Sequence, residues 1–141
     1  MAKYFTLKEM TRSETAKKYG IDNTPSPEIV EHLNELMEFL DPLREAWGSA
    51  IKVTSGYRCP KLNSLVKGSA TSVHKIGYAS DLKPVNGKIE DFKTFVKNYL
   101  KDKKFDQCIL EKSKTTGDQW VHIGLYNNAH KQRCQIKLMT V

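Results

Sequence analysis

Hydrophobic positions along this chain follow two periods, three-to-four residues and two, and the first change between them comes near residue 50. Ile29, Val30, Leu33, Leu36, Met37, Leu40, Leu43 and Trp47 recur at gaps of three and four, which puts one apolar stripe on one face of a helix. Ser26, Pro27 and Glu28 supply an N-cap, a first-turn proline and a first-turn acid, and Gly48 supplies a stop. Pro42 lies inside the pattern and displaces the bond to residue 38, so a bend or a division is expected there. Upstream, Thr6 caps a short segment over Leu7 to Ser13, and Ser13 caps another ending at Gly20. Ile51-Lys52-Val53-Thr54 alternates and reads as a strand. Residues 56–73 read as irregular, with one turn of helix near Lys61–Val66. Tyr78 to Leu82 reads as a second strand ended by Pro84 and Gly87, and Ile89 to Leu100 as a helix with Phe92, Phe95, Val96, Tyr99 and Leu100 on one face. Phe105–Leu110 and Trp120–Tyr126 are the third and fourth strands, and Gln135–Val141 a last edge strand. Helices come first, strands are mostly late and connections are short. The expected class is α+β, with N-terminal helices packed on a small antiparallel sheet. No repeat or linker divides the chain, so residues 1–141 are expected to form one domain.

Composition narrows the function only a little. Hydrophobic residues at 39% and charged residues at 28% exclude a collagen, a coiled-coil rod and a mostly disordered chain. Lys and Arg number 23 against 16 Asp and Glu, a net charge of +7 that favours polyanions such as nucleic acid, anionic lipid or an anionic cell-wall polymer. The basic residues are dispersed, however, and no nucleic-acid-binding motif accompanies them, so nucleic acid is not an expected partner. No apolar run approaches the ~20 residues that span a bilayer. The first ten residues contain no apolar signal core, so synthesis in the cytosol without a secretory signal is expected. A monomer is the expected state. Cys59, Cys108 and Cys134 form no C-x-x-C pair and fit reduced thiols, with Cys108 a small core residue.

Two of the four histidines carry candidate chemistry. His32 sits beside the stripe of the long helix and His130 in a turn, and both read as structural. His74 ends a polar loop, six residues before Asp81, whose apolar strand leaves its charge in need of a partner. His122 lies in the apolar strand Trp120-Val121-His122-Ile123-Gly124. Two imidazoles and a carboxylate make a three-ligand metal site with a position left open, as catalysis requires. Two structural histidines and a capping aspartate remain the alternative on spacing alone.

The order Thr54-Ser55-Gly56-Tyr57-Arg58, Asn63, Gly68, Ser72-x-His74-x-x-Gly77-x-Ala79-x-Asp81 and Trp120-Val121-His122 closely resembles the zinc D-alanyl-D-alanine carboxypeptidases. That group includes D-Ala-D-Ala carboxypeptidases and dipeptidases and phage L-Ala-D-Glu endolysins, and the Hedgehog signalling domain shares its zinc scaffold. The likeness runs from about residue 26 to 126, and Asp22-Asn23-Thr24-Pro25 is similar to the opening of short bacterial and phage members. The resemblance implies one Zn2+ per chain held by His74, Asp81 and His122. It also implies Arg58 at a substrate carboxylate or developing oxyanion, Ser72 orienting substrate or loop, and a peptidoglycan stem peptide as partner. Many relatives carry an acid three residues before the last His, where this chain has Gln119. Glu111, at the end of its strand, is therefore expected to be the general base and acid, with Asp118 the alternative.

Four readings follow. The first is a zinc peptidase cutting a bond with a D-residue on at least one side, acting on the wall after release if it is a phage lysin, or in the cytosol on D-Ala-D-Ala. The second is a zinc-stabilised binding module without catalysis, which Gln119 favours. A cysteine hydrolase pairing Cys59 with His74 is the third, opposed by the lack of an evident helix N-terminus at Cys59. Nucleic-acid binding through net charge is the fourth.

Overall fold

The computed structural model describes residues 2–141; Met1 lies outside the described residues. Two short helices open the chain, α1 (Leu7–Thr11) and α2 (Glu14–Lys18). Thr6 and Glu9 close a reciprocal capping box on α1, and Ser13 accepts from Ala16 N to start α2. Helix α3 spans Pro27–Trp47 without a break. The expected division at Pro42 does not occur. The proline removes one helical hydrogen bond at a cost of about 3 kcal/mol. Leu40 and Leu43, on either side of it, are fully buried, each contributing about 1.5–3 kcal/mol, and Trp47 beyond packs its ring 5.1 Å from that of Phe92. Burial along the stripe therefore holds the last turn.

Five strands follow: β1 (Ile51–Ser55), β2 (Ala79–Pro84), β3 (Gln107–Lys112), β4 (Gln119–Gly124) and β5 (Gln135–Thr140). Helix α4 (Pro60–Leu65) and a 3-10 turn over Val73–Ile76 occupy the loop between β1 and β2, and α5 (Ile89–Tyr99) follows β2. The loop is thus more ordered than the sequence suggests. The sheet order is β1-β2-β4-β3-β5. The first three pairings are antiparallel, as expected, but β5 runs parallel to β3. After β4 the chain crosses to the far side of β3 instead of turning back in a hairpin. The crossing is tied down by Cys134 N donating to Phe105 O and by Arg133 paired through two nitrogens with the buried Asp106.

Strand periodicity divides the sheet into two faces. Val53, Leu82, Cys108, Leu110, Val121 and Ile123 point one way and are all buried in the core, which α3 and α5 complete with Leu33, Leu36, Leu40, Leu43, Phe92 and Val96. The alternate residues Asp81, Ile109, Glu111, Trp120 and His122 share the opposite face, and a bulge between Val53 and Ser55 brings Ser55 opposite Asp81. No helix is long and apolar enough to cross a membrane among the described residues.

Candidate active site

Asp81 of β2 and His122 of β4 stand directly opposite each other, and Ile109 of β3 stands opposite His122. His122 Nδ1 lies 3.0 Å from Asp81 Oδ1. His74 reaches the same carboxylate from the 3-10 turn, its Nε2 3.4 Å from Asp81 Oδ1. Ser72 caps that turn by accepting from His74 N, and Gly77 ends it at a φ of +81°. A side chain at Gly77 would also press on Ile29 at 2.9 Å, so glycine is required on both counts.

The buried His74 ring is fixed in one tautomer. Its Nδ1 lies 2.7 Å from Gly56 O. A carbonyl only accepts, so Nδ1 carries the proton and the lone pair of Nε2 points at Asp81. Burial pushes the His74 pKa down, against the pull of Asp81, and keeps the ring neutral as a metal ligand must be. Burial alone would raise the Asp81 pKa, but the two histidines outweigh it and hold the carboxyl ionised, well below the usual range. The ligand atoms of His74, Asp81 and His122 lie within 4.8 Å of one another. Two imidazoles and one anionic carboxylate converging on one point are a donor set that fits a divalent cation such as zinc.

The segment carrying Gly56 and Arg58 is braced from the N-terminal helices. Tyr57 N donates to Met10 O at 2.7 Å, and a Cβ on Gly56 would sit 2.2 Å from that same oxygen. Asn23 Nδ2 donates to Thr11 O and to Tyr57 O, both at 2.9 Å, and Asn23 Oδ1 accepts from Cys59 N at 2.8 Å. Asn23 therefore grips the backbone on both sides of Arg58, whose own N donates to His74 O at 3.0 Å. The Arg58 side chain is partly buried, which lowers its pKa against the opposing pull of Asp81 and Glu111. One terminal nitrogen donates to Ser72 Oγ at 3.3 Å, while Nε is buried without a partner.

Glu111 is the last residue but one of β3, opposite Trp120. Its Oε2 accepts from Trp120 Nε1 at 3.0 Å. Burial and the nearby Asp81 charge raise its pKa, while His122, the Trp120 hydrogen bond and Arg58 oppose the shift. Asp118 lies in the turn before β4, exposed and paired with Lys83. Gln119 is turned to the other side and accepts from Lys93 Nζ at 2.6 Å. A groove of about 850 Å³ includes Arg58, Ser72, His74, Asp81, Glu111 and His122 in its walls, and Asp118 and Gln119 are not among them.

Cys59 does have a helix N-terminus beside it, contrary to the sequence reading: it is the N-cap of α4, its Sγ accepting from Leu62 N at 3.5 Å. The thiol is nevertheless not paired with His74, because both ring nitrogens of His74 face Gly56 O and Asp81. Cys108 is buried in the core and its pKa is pushed up to about 12 by burial. His32 is satisfied as expected, Nδ1 to Ile76 O at 2.7 Å with its ring stacked on Tyr78. Sequence reasoning missed the Asn23 clamp, the Gly56 carbonyl as a tautomer lock and the Trp120 N–H on Glu111. Only Gly56, a glycine directly after an alternating strand, left a local signal.

No curated protein sequence matches the chain. The family model described as peptidase M15 matches residues 3–124, a span that contains His74, Asp81, His122, Arg58 and Glu111. With that match over most of its length and an α+β fold that agrees with it, the chain belongs to the peptidase M15 family, the zinc D-Ala-D-Ala carboxypeptidase-like metallopeptidases.

Proposed function

We propose that this chain is a zinc-dependent peptidase that hydrolyses a bond next to a D-residue in peptidoglycan stem peptides. The observation that carries the reading is the placing of Glu111 on the same sheet face as His122 and Asp81, one strand away, in one groove with Arg58. His74, Asp81 and His122 would hold one zinc ion, which when bound supplies Lewis acidity toward water and a peptide carbonyl.

The rest of the chemistry belongs to the chain. Glu111 takes a proton from the attacking water as its oxygen bonds to the carbonyl carbon. It returns that proton to the leaving nitrogen as the carbon–nitrogen bond breaks. Trp120 holds one carboxylate oxygen and leaves the other for the proton. Arg58, steadied by Ser72 and by its backbone bond to His74, offers a buried guanidinium N–H to a substrate carboxylate or a developing oxyanion. The net charge of +7 favours approach to an anionic wall. Release onto the wall, as for a phage lysin, is the localisation that accompanies this reading.

Gln119 is the one observation favouring a non-catalytic, zinc-stabilised binding module. It loses force because Gln119 bonds Lys93 away from the groove while Glu111 faces it. The deciding experiment is turbidity loss of purified cell walls with zinc-loaded protein, with and without a chelator, and mass analysis of the soluble products. Chelator-sensitive release of peptides carrying D-residues is expected. Wall binding with no released peptide would replace the peptidase by the binding module.

A further inference from the structure

The sheet ends on two strands of different character. At β1 the register is broken between Val53 and Ser55, and α1 packs beside the strand. Bulges and covering elements of this kind keep a second chain from pairing at an edge. β5 has neither protection. It pairs with β3 in unbroken register from Gln135 to Thr140 and forms the opposite edge. It contains no proline and a single charged side chain, Lys137.

The hydrogen bonds of β5 show which of its groups are free. Gln135 N donates to Asp106 O, Val141 N to Lys112 O, and Lys114 N to Val141 O. Backbone groups alternate in direction along a strand, so Gln135, Lys137, Met139 and Val141 turn N–H and C=O toward β3. Those of Ile136, Leu138 and Thr140 point outward, and among the described residues no strand or loop bonds to them. The side chains repeat the contrast. Ile136 and Leu138 stand opposite Cys108 and Leu110, which lie in the core. Ile136 packs against that core, but Leu138 is 83% exposed. An apolar edge with free N–H and C=O groups is a template for a further strand.

We infer that β5 is a self-association surface whose occupant is β5 of a second copy of this chain, antiparallel across a two-fold axis at Leu138. The dimer does not depend on the peptidase reading. A two-fold contact requires a self-complementary strand, and β5 meets that requirement best in one register. With the axis at Leu138, Ile136 faces the partner's Thr140, Leu138 the partner's Leu138, and Thr140 the partner's Ile136. Every outward N–H and C=O of the strand then has a partner. The two Leu138 side chains cover each other on the core face. Lys137 falls opposite the partner's Met139, so no like charges meet. An axis at Lys137 leaves one bonded pair fewer and sets the two ammonium groups face to face. An axis at Met139 also loses a bonded pair. The axis at Leu138 is normal to the sheet, so both grooves open on the same side. The expected state is a monomer–dimer equilibrium in place of the monomer expected from the sequence.

The test is sedimentation equilibrium of the whole chain, from about 10 μM to about 1 mM because an edge-to-edge contact is small. The mean mass should rise from that of one chain toward that of two. Leu138→Pro removes one outward N–H and no bond to β3, a setting in which an edge strand tolerates proline. It should keep the circular dichroism of the parent and weaken association at least ~10-fold. The register is read by disulfide trapping with oxidised glutathione in a Cys134→Ser background. Leu138→Cys should link two chains, because residue 138 meets itself at the axis. Thr140→Cys should not, because the two thiols lie four residues apart along the strands, about 13 Å. A single-chain mass at every concentration would overturn the interface, and so would undiminished association in a folded Leu138→Pro. If that variant loses its fold, the cysteine pair decides. Selective linking at 138 upholds the two-fold, and equal linking at both positions or none at 138 overturns it.

Discussion

The two sides of the groove are built on different terms. On the side of β2 and β4, Asp81 and His122 face each other across a ladder, and His74 is buried with both ring nitrogens committed. On the side of β3, Glu111 is held by one indole N–H and lies only partly buried. The ligand side must exclude water and fix each lone pair, because three side chains have to converge on one point. In the proposed mechanism the Glu111 side must stay open, because its carboxylate has to meet water, substrate and a leaving amine in turn. The side of His74, Asp81 and His122 is accordingly over-determined from several elements, and the Glu111 side depends on a single register.

The strongest way to break this contrast is to remove a ligand. His74→Ala and His122→Ala are each expected to lose nearly all zinc on mild dialysis and all hydrolysis, while keeping the far-ultraviolet circular dichroism of the parent. Asp81→Asn should weaken zinc binding as well, since it removes the one anionic ligand. Full zinc content by elemental analysis in both histidine variants would show that the ligand set is elsewhere.

The opposite side is broken by Glu111→Gln, which should keep zinc and fold but lower turnover at least ~100-fold, the scale of lost acid–base help. Asp118→Asn should change turnover less than ~10-fold, under ~1.4 kcal/mol of barrier. The reverse ordering of the two would move proton transfer to Asp118 and leave the metal site intact.

The same asymmetry explains what could be read from the sequence. The ligand types and their spacing are local, so His74 and Asp81 stand out within one short stretch, and His122 within an apolar strand. The long helix and the core strands were legible because periodicity is local too. Glu111 was readable only through strand pairing, which depends on how β3 meets β4; its place near the end of β3 agrees with the sequence, but the residue it faces does not follow from local pattern. The Asn23 clamp joins residues 12 and more apart, and no local pattern announces such a contact. The parallel β5 was missed because an edge strand reads alike in either direction. At Pro42 local propensity favours a break, and burial of Leu40 and Leu43 overrides it.

A smaller perturbation sharpens the contrast by loosening the brace rather than a ligand. Asn23→Ala removes two donors and one acceptor from partly buried backbone groups on both sides of Arg58. A loss of about 1–3 kcal/mol in chemical denaturation is expected. Because Arg58 shifts while the zinc ligands do not, KM should rise with zinc content unchanged. A fall in zinc content with KM unchanged would mean that the brace serves the ligand side instead.

The smallest effect expected is also the most specific to the Glu111 side. Burial and Asp81 favour the protonated carboxyl, so its pKa lies above the ordinary glutamate value, about 4.3. As the proposed base Glu111 must be ionised, so the acid limb of kcat/KM against pH should follow its pKa. Trp120 donates to the ionised form and holds the pKa down. Trp120→Phe removes the donor, so the pKa rises and the limb moves to higher pH. A hydrogen bond to a charged group contributes about 1.5–3 kcal/mol. Water entering the open groove replaces part of it, leaving a shift of about half a unit to one unit at 1.36 kcal/mol per unit. A bound cation lowers the limb in both proteins, so the difference between them carries the result. A limb that moves to lower pH, or does not move in Trp120→Phe, would mean that the titrating base is not the carboxylate under Trp120.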